Sequence, residues 1–291
     1  MRFSTIAILA ALFWTGVIQA ETESIELEKP ISIGSTVLAT DTVIALADGS
    51  VVAWGDGDQH PIVNDYGAKP SSLTDVEHIE FHRDFVSVIG KRDGSPSMAT
   101  FKRGEDISNN AHIVPGLTVP LAFADDKTIT ATISTGVAIY FAVKDEEETS
   151  LWIIGANAAS LNDPKEIYRG AEPILALAVN FQGHLLAIVE QDEKPTIQFH
   201  HSQRGDKLLH VPTGMDKITS LALSSAELLY AAGTKDGKDG IYRLDAGFED
   251  GKQIVNETEI ELIDGAQKVV CCGKQAVAIT KDAATRFALE K

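Results

Sequence analysis

Two histidines four residues apart, His78 and His82, stand in the run EHIEFHRDF. On a helix that spacing puts two imidazoles within reach of one zinc ion. This run is β-type, and four residues along a strand span about 13 Å. The pair can share a face without sharing a metal. His200 and His201 are adjacent, so a strand turns them to opposite faces. In WGDGDQH, Asp56 and Asp58 stand near Gln59 and His60, and the carboxylates and the amide carry oxygens of the kind calcium takes. The glycine and distal glutamate of a full calcium loop do not follow, and the run reads as a solvated turn. Cys271 and Cys272 are the only two cysteines. Neighbouring Cα atoms lie about 3.8 Å apart, below the usual disulfide range. They read as two small, partly buried thiols in a strand, without the Cys-x-x-Cys spacing of a redox pair. No Gly-x-Ser-x-Gly, His-Glu-x-x-His or phosphate-loop pattern is present. The sequence assigns no catalytic residue, metal or cofactor.

The chain has 291 residues and a formal net charge of −17. Phosphate binding needs clustered Lys and Arg, so this balance argues against nucleic acid as a partner and against anionic membrane surfaces. It suits solubility and attraction to a basic partner. At 44% hydrophobic residues the chain can bury a substantial core. Arg2, the apolar run Phe3 to Ile18 and the Ile18-Gln19-Ala20 site read as a signal peptide over residues 1–20. The run is short for a membrane span. The expectation is a secreted or periplasmic protein over 21–291, with no membrane insertion after cleavage. Without a disulfide framework, its core must hold it together.

The elements that would position any site come from self-similarity. Six blocks of β-type run, turn and β-type run start at Val37, Ile79, Leu121, Ile174, Ile218 and Val269, separated by 42, 42, 53, 44 and 51 residues. A short β-type run precedes each block, and IELEKPISIGSTV takes that place for the first. Runs such as DTVIAL, ITATIS and AVAIT are short and β-branched, as strands are. Asp48-Gly49, Asp93-Gly94, Asp236-Gly237 and Asp239-Gly240 are hairpin-turn dipeptides. The acidic run Glu146 to Glu148 reads as an exposed loop in an insertion. A lone hairpin is marginal in water. Similar sheets placed around an axis bury both faces and protect their edges. The fold class is therefore all-β: one β-propeller domain of about six four-stranded blades, seven if a divergent unit hides in an insertion.

TVIALADGSVVAWGDGD resembles the repeat of the regulator-of-chromosome-condensation propellers: a hydrophobic run ending in Ala-Leu, an Asp-Gly turn, a strand, then Trp-Gly. LTDVEHIEF with VSVIGKRDGS looks like the next repeat, and AQKVVCCGKQAVAITKDA like the last. The Trp-Gly pair is clear at Trp54-Gly55, altered at Trp152 to Gly155 and absent elsewhere. A secreted β-lactamase inhibitory protein is similar to this propeller type, and the resemblance implies a protein-binding scaffold.

The candidate binding residues are Trp54, Asp56, Trp152, Tyr168 and Tyr242. Rings exposed at blade ends would anchor a partner; rings between blades would be core. The leading expectation is an exported, acidic scaffold or inhibitor-like module with an unknown, basic protein partner. One alternative is a hydrolase or lyase whose scattered carboxylates and histidines converge in the axial channel. Another is a glycan-binding propeller, which needs aromatic platforms repeated from blade to blade.

Overall fold

The computed structural model describes residues 22–35, 42–47, 51–55, 58–61, 73–82, 85–102, 118–135, 138–155, 163–180, 184–200, 207–249 and 252–289. The chain enters with β1 (Glu23–Glu26). The first blade is β2 (Pro30–Ser35), β3 (Thr42–Leu46), β4 (Val51–Gly55) and β5 (Asp58–Pro61). The second is β6 (Thr74–His82), β7 (Phe85–Arg92), β8 (Ser95–Lys102) and β9 (Thr118–Pro120). A 3-10 turn at Ala122–Ala124 leads to β10 (Thr128–Ser134), β11 (Ala138–Lys144), β12 (Thr149–Gly155) and β13 (Lys165–Gly170). The fourth blade is β14 (Ile174–Val179), β15 (Leu185–Gln191), β16 (Lys194–His200) and β17 (Lys207–Pro212). The fifth is β18 (Lys217–Leu223), β19 (Leu229–Lys235), β20 (Lys238–Glu249) and β21 (Lys252–Leu262). Last come β22 (Lys268–Cys272), β23 (Gln275–Ile279) and β24 (Ala283–Ala288).

These strands form six four-stranded antiparallel sheets, a β-propeller. The inner strands β2, β6, β10, β14, β18 and β22 pack on one another in that order, and β22 returns to β2. Closure comes from the far end of the chain. β1 is the outer strand of the last sheet, with Glu23 opposite Arg286 and Ile25 opposite Ala284. The segment IELEKPISIG, expected to open the first unit, is therefore split: its first strand completes the last blade and its second begins the first. The pairing ties the chain's two ends into one ring and covers the edge of β24 that would otherwise stay open.

Strand alternation decides what lies between the blades. In β3, Val43 and Ala45 face the second blade, while Ile44 faces the last. Each seam between adjacent blades holds one apolar cluster, six in all among the described residues. At about 1.5–3 kcal/mol for each fully buried Val, Leu, Ile or Phe, these seams dominate the stabilisation. The dipeptides Asp93-Gly94 and Asp236-Gly237 make two-residue turns with positive φ at both residues. Asp239-Gly240 does not turn; it lies inside β20, where Gly240 passes so close to the Glu261 carbonyl that a Cβ would sit 2.6 Å from it. The Glu146–Glu148 run is the tight turn between β11 and β12, closed by the Asp145 N–H on the Glu148 carbonyl at 2.8 Å. Asp48-Gly49 lies outside the described residues.

Candidate functional site

The inner strands line an axial cavity of about 80 Å³. A regular inner strand would offer it mainly backbone edges. Four of them carry a one-residue register shift against the second strand of their blade, between Pro30 and Ser32, Ile129 and Ala131, Ile174 and Ala176, and Ile218 and Ser220. Such a bulge re-aims the extra residue. Thr130, Leu175 and Thr219 occupy these bulges and line the cavity. β6 has a wider irregularity, between Thr74 and His78, and β22 pairs without a break. These two strands supply the ionisable groups: His78 and Glu80 from β6, Lys268 from β22.

Among the described residues, side chains stitch inner strands together at every junction but that of β14 with β18. The Ile79 N–H donates to Ser32 Oγ at 3.1 Å. His78 Nε2 donates to the Ile129 carbonyl at 3.1 Å, which leaves Nδ1 as the lone-pair nitrogen. Thr132 Oγ1 donates to Glu80 Oε1 at 2.5 Å, and Thr130 Oγ1 to the Ile174 carbonyl at 2.7 Å. Ser220 Oγ accepts the Val269 N–H at 3.2 Å. Lys268 Nζ donates to Ser32 Oγ at 3.1 Å and to the Glu77 carbonyl at 3.4 Å.

Burial resets the proton affinities of this cluster. Burial raises Glu80 to about 7, against the opposing pull of the Thr132 bond, the Lys268 charge and a bond from the Ser134 backbone. Burial lowers Lys268 to about 8, opposed by Glu80 and Glu77. His78 falls to about 3 through burial and the nearby Lys268 charge, with the Ile129 bond opposing. At neutral pH the imidazole is uncharged, while Glu80 and Lys268 each exchange a proton close to ambient pH. Groups so placed suit general acid–base work. Among the described residues no three His, Cys, Asp or Glu side chains gather as metal ligands.

Of the residues singled out from the sequence, His78 lines the cavity, and the described candidate binding residues lie elsewhere and apart. Trp54 is wholly buried in the seam between the last and first blades, with the Arg286 guanidinium 4.5 Å from its ring centroid. Tyr242 is buried in the seam between the fourth and fifth blades, its hydroxyl donating to the Lys238 carbonyl at 2.8 Å. Trp152 is half-buried and stacked on Phe123 at 4.9 Å, with its Nε1–H on Ser150 Oγ. Tyr168 meets His200 edge-on at 4.6 Å. Asp56 lies outside the described residues, as do the side chains of Asp58, His60 and His82. Cys271 and Cys272 are buried thiols in β22 with no disulfide between them, and burial pushes the Cys271 thiol well above its ordinary range. Glu80 and Lys268 escaped the sequence reading. Their signal is an ionisable residue in a strand otherwise built to be inner: Glu80 stands two residues from His78, and Lys268 opens the run KVVCC.

No protein-family model matches the chain, and no curated protein matches it. Solved structures do. The chain is similar to the WD40 β-propeller domain of Doa1, with a TM-score of 0.58 at 12% identity over 96% of this chain and 99% of that one. It is similar to the aldose sugar dehydrogenase of Streptomyces coelicolor, solved with PQQ bound, with a TM-score of 0.55 at 9% identity over 92% and 98% of the two chains. A candidate oxidoreductase (glucose dehydrogenase) of Thermus thermophilus gives a TM-score of 0.58 at 12% identity over 91% and 99%. These neighbours differ in function and share an architecture, so what the likeness establishes is the β-propeller fold.

Proposed function

We propose that this chain is a propeller that binds a small polar molecule in its axial cavity and moves protons on it with Glu80 and Lys268, as hydrolase- or lyase-type chemistry requires. One observation carries the reading. The only ionisable side chains lining the described cavity are His78, Glu80 and Lys268, drawn from two blades far apart in sequence. A carboxyl near 7 and an amine near 8 can each act as acid or base at neutral pH. The test follows the His78 imidazole resonances while short polyols, hydroxyaldehydes, lactones and carboxylates are titrated. A channel ligand shifts them in the wild type and binds more weakly to Glu80→Gln. If the whole panel leaves them unmoved, the reading falls.

A second reading has its own observation. Beyond Leu244, which pairs with Leu229, β20 has no partner in β19 and continues with β21 alone. Phe248 near the end of this projecting hairpin is 74% exposed. A basic protein docking on the acidic chain through Phe248 is the form the scaffold expectation takes here. Loss of specific capture in Phe248→Ser supports it, and unchanged capture removes it. The repeat type and export belong to the proposal too, supported by Trp54-Gly55 and by the apolar run Phe3 to Ile18.

A further inference from the structure

We propose that Lys268 captures short hydroxyaldehydes covalently, as an imine formed in the axial cavity. The inference rests on the axial cavity being the ligand site and goes on to name the ligand's chemistry.

The first ground is geometric. Lys268 Nζ has two acceptors, Ser32 Oγ at 3.1 Å and the Glu77 carbonyl at 3.4 Å. A neutral amine has two N–H bonds and one lone pair. With both hydrogens engaged, the remaining tetrahedral position of this cavity-lining nitrogen is the nucleophilic one. The second ground is proton supply. Glu80 lines the same cavity, and each group shifts the other's proton affinity. The third is fit. A cavity of about 80 Å³ admits only a few heavy atoms, and no Phe, Tyr or Trp ring lines it. Ser32, Thr130, Thr132 and Ser220 offer hydroxyls to a hydroxylated ligand. Glu80 in the same cavity disfavours an anionic keto acid. Together these select a short, neutral hydroxyaldehyde.

The step balances within the cluster. The Nζ lone pair forms a C–N bond to the carbonyl carbon as the C=O π pair moves to oxygen. The Glu80 carboxyl gives that oxygen its proton and takes back the proton shed by nitrogen, leaving a carbinolamine. Glu80 then protonates the hydroxyl, the C–O bond breaks, and the nitrogen lone pair closes the C=N bond. One aldehyde and one amine give one protonated imine and one water, with the Glu80 carboxylate as counter-ion.

The test treats the full chain with glycolaldehyde and cyanoborohydride, which adds hydride to the imine carbon and fixes a secondary amine, followed by peptide mapping. At neutral pH Lys268 is labelled roughly tenfold or more ahead of exposed lysines, because far more of it is unprotonated. Glu80→Gln slows that labelling by about tenfold or more, and Lys268→Met leaves only the surface pattern. A parallel titration without reductant follows the His78 imidazole with glycolaldehyde and with ethylene glycol, which has no carbonyl. If both shift His78 while Lys268 stays unlabelled, imine capture is overturned and the cavity site survives. If neither shifts it and Lys268 is unlabelled, both readings fall.

Discussion

Lys268 and Arg286 are cations of the same blade, one in β22 and one in β24, and both are drawn away from water. Their surroundings differ in kind. Lys268 faces a cavity between blades, among hydroxyls and the Glu80 carboxyl, whose charge pulls its proton affinity back up. Arg286 is 6% exposed in the closing seam, where its guanidinium lies over Trp54 and its Nη2 donates to the Trp54 carbonyl at 3.1 Å. Glu23 of the closing strand approaches it to 3.9 Å. An ammonium can give up its proton when burial penalises the charge, whereas a guanidinium keeps it and needs a π face and carbonyls instead. The two cations are therefore met differently: Arg286 is fixed in the closing seam, and Lys268 faces the cavity as an amine able to lose its proton.

The largest effect belongs to the seam. Trp54→Ala removes a wholly buried indole and the face under Arg286, with an expected loss of about 3–5 kcal/mol. Urea unfolding measures it as a lower midpoint. A loss below 1 kcal/mol would mean that the seam collapses around the gap and that Arg286 needs no aromatic partner.

Next comes the channel's response to pH. Glu80 is raised from 4.5 to about 7, so the folded state holds a proton there that the unfolded chain has released. Its contribution is intact below pH 4.5 and is lost as pH rises to about 7, a change on the order of 3 kcal/mol. His78, lowered to about 3, acts oppositely: stability rises as pH climbs from about 3 to 6.5, where the unfolded imidazole gives up its proton. Lys268, lowered to about 8, adds a second rise between about 8 and 10.5. The difference between wild type and Glu80→Gln isolates the carboxyl. It is flat below pH 4.5, moves in favour of the variant up to pH 7 and levels off above. A flat difference throughout would place Glu80 in water.

Smaller, and aimed at the contrast itself, are two substitutions to the same residue. Arg286→Met destabilises by about 1–2 kcal/mol, through the lost cation–π contact and the bond to Trp54. Lys268→Met removes a desolvated charge and is expected to be neutral or slightly stabilising at pH 7, while abolishing aldehyde capture. Equal losses in the two variants would erase the distinction between the two sites.

The seam was more legible in the sequence than the channel, for a physical reason. Repeats expose what every blade must do, and every blade must bury apolar faces against its neighbours. The β-branched runs, Asp93-Gly94 and Asp236-Gly237 announce that architecture locally. The split of the N-terminal segment was hidden, because the pairing of Glu23 with Arg286 joins the two ends of the chain. The channel cluster was hidden in another way. Its ionisable residues stand on only two of the six inner strands, so no repeated motif marks the site. His78 was weighed against His82, its neighbour in sequence, while its neighbours in space come from β10 and β22. Trp54 was conspicuous as half of a Trp-Gly pair, and the structure buries it wholly in the closing seam.

The smallest expected effect sets the scale for the others. Arg169 also has named partners, Glu166 Oε2 at 2.6 Å and Glu148 Oε2 at 3.2 Å, shorter contacts than Arg286 makes to Glu23. All three side chains are exposed to solvent by 30% or more. Water screens their attraction and the long side chains lose entropy in meeting, so Arg169→Ala is expected to change stability by about 0–1 kcal/mol. Raising the salt should narrow even that gap. The same urea experiment on Arg286→Met should be less sensitive to salt, because its closest contacts are a ring and a carbonyl in the seam and its approach to the Glu23 carboxylate is no shorter than 3.9 Å. If Arg169→Ala proved the costlier of the two, distance rather than burial would rank the ion contacts of this propeller, and the account of Arg286 as the seam's fixed charge would fail.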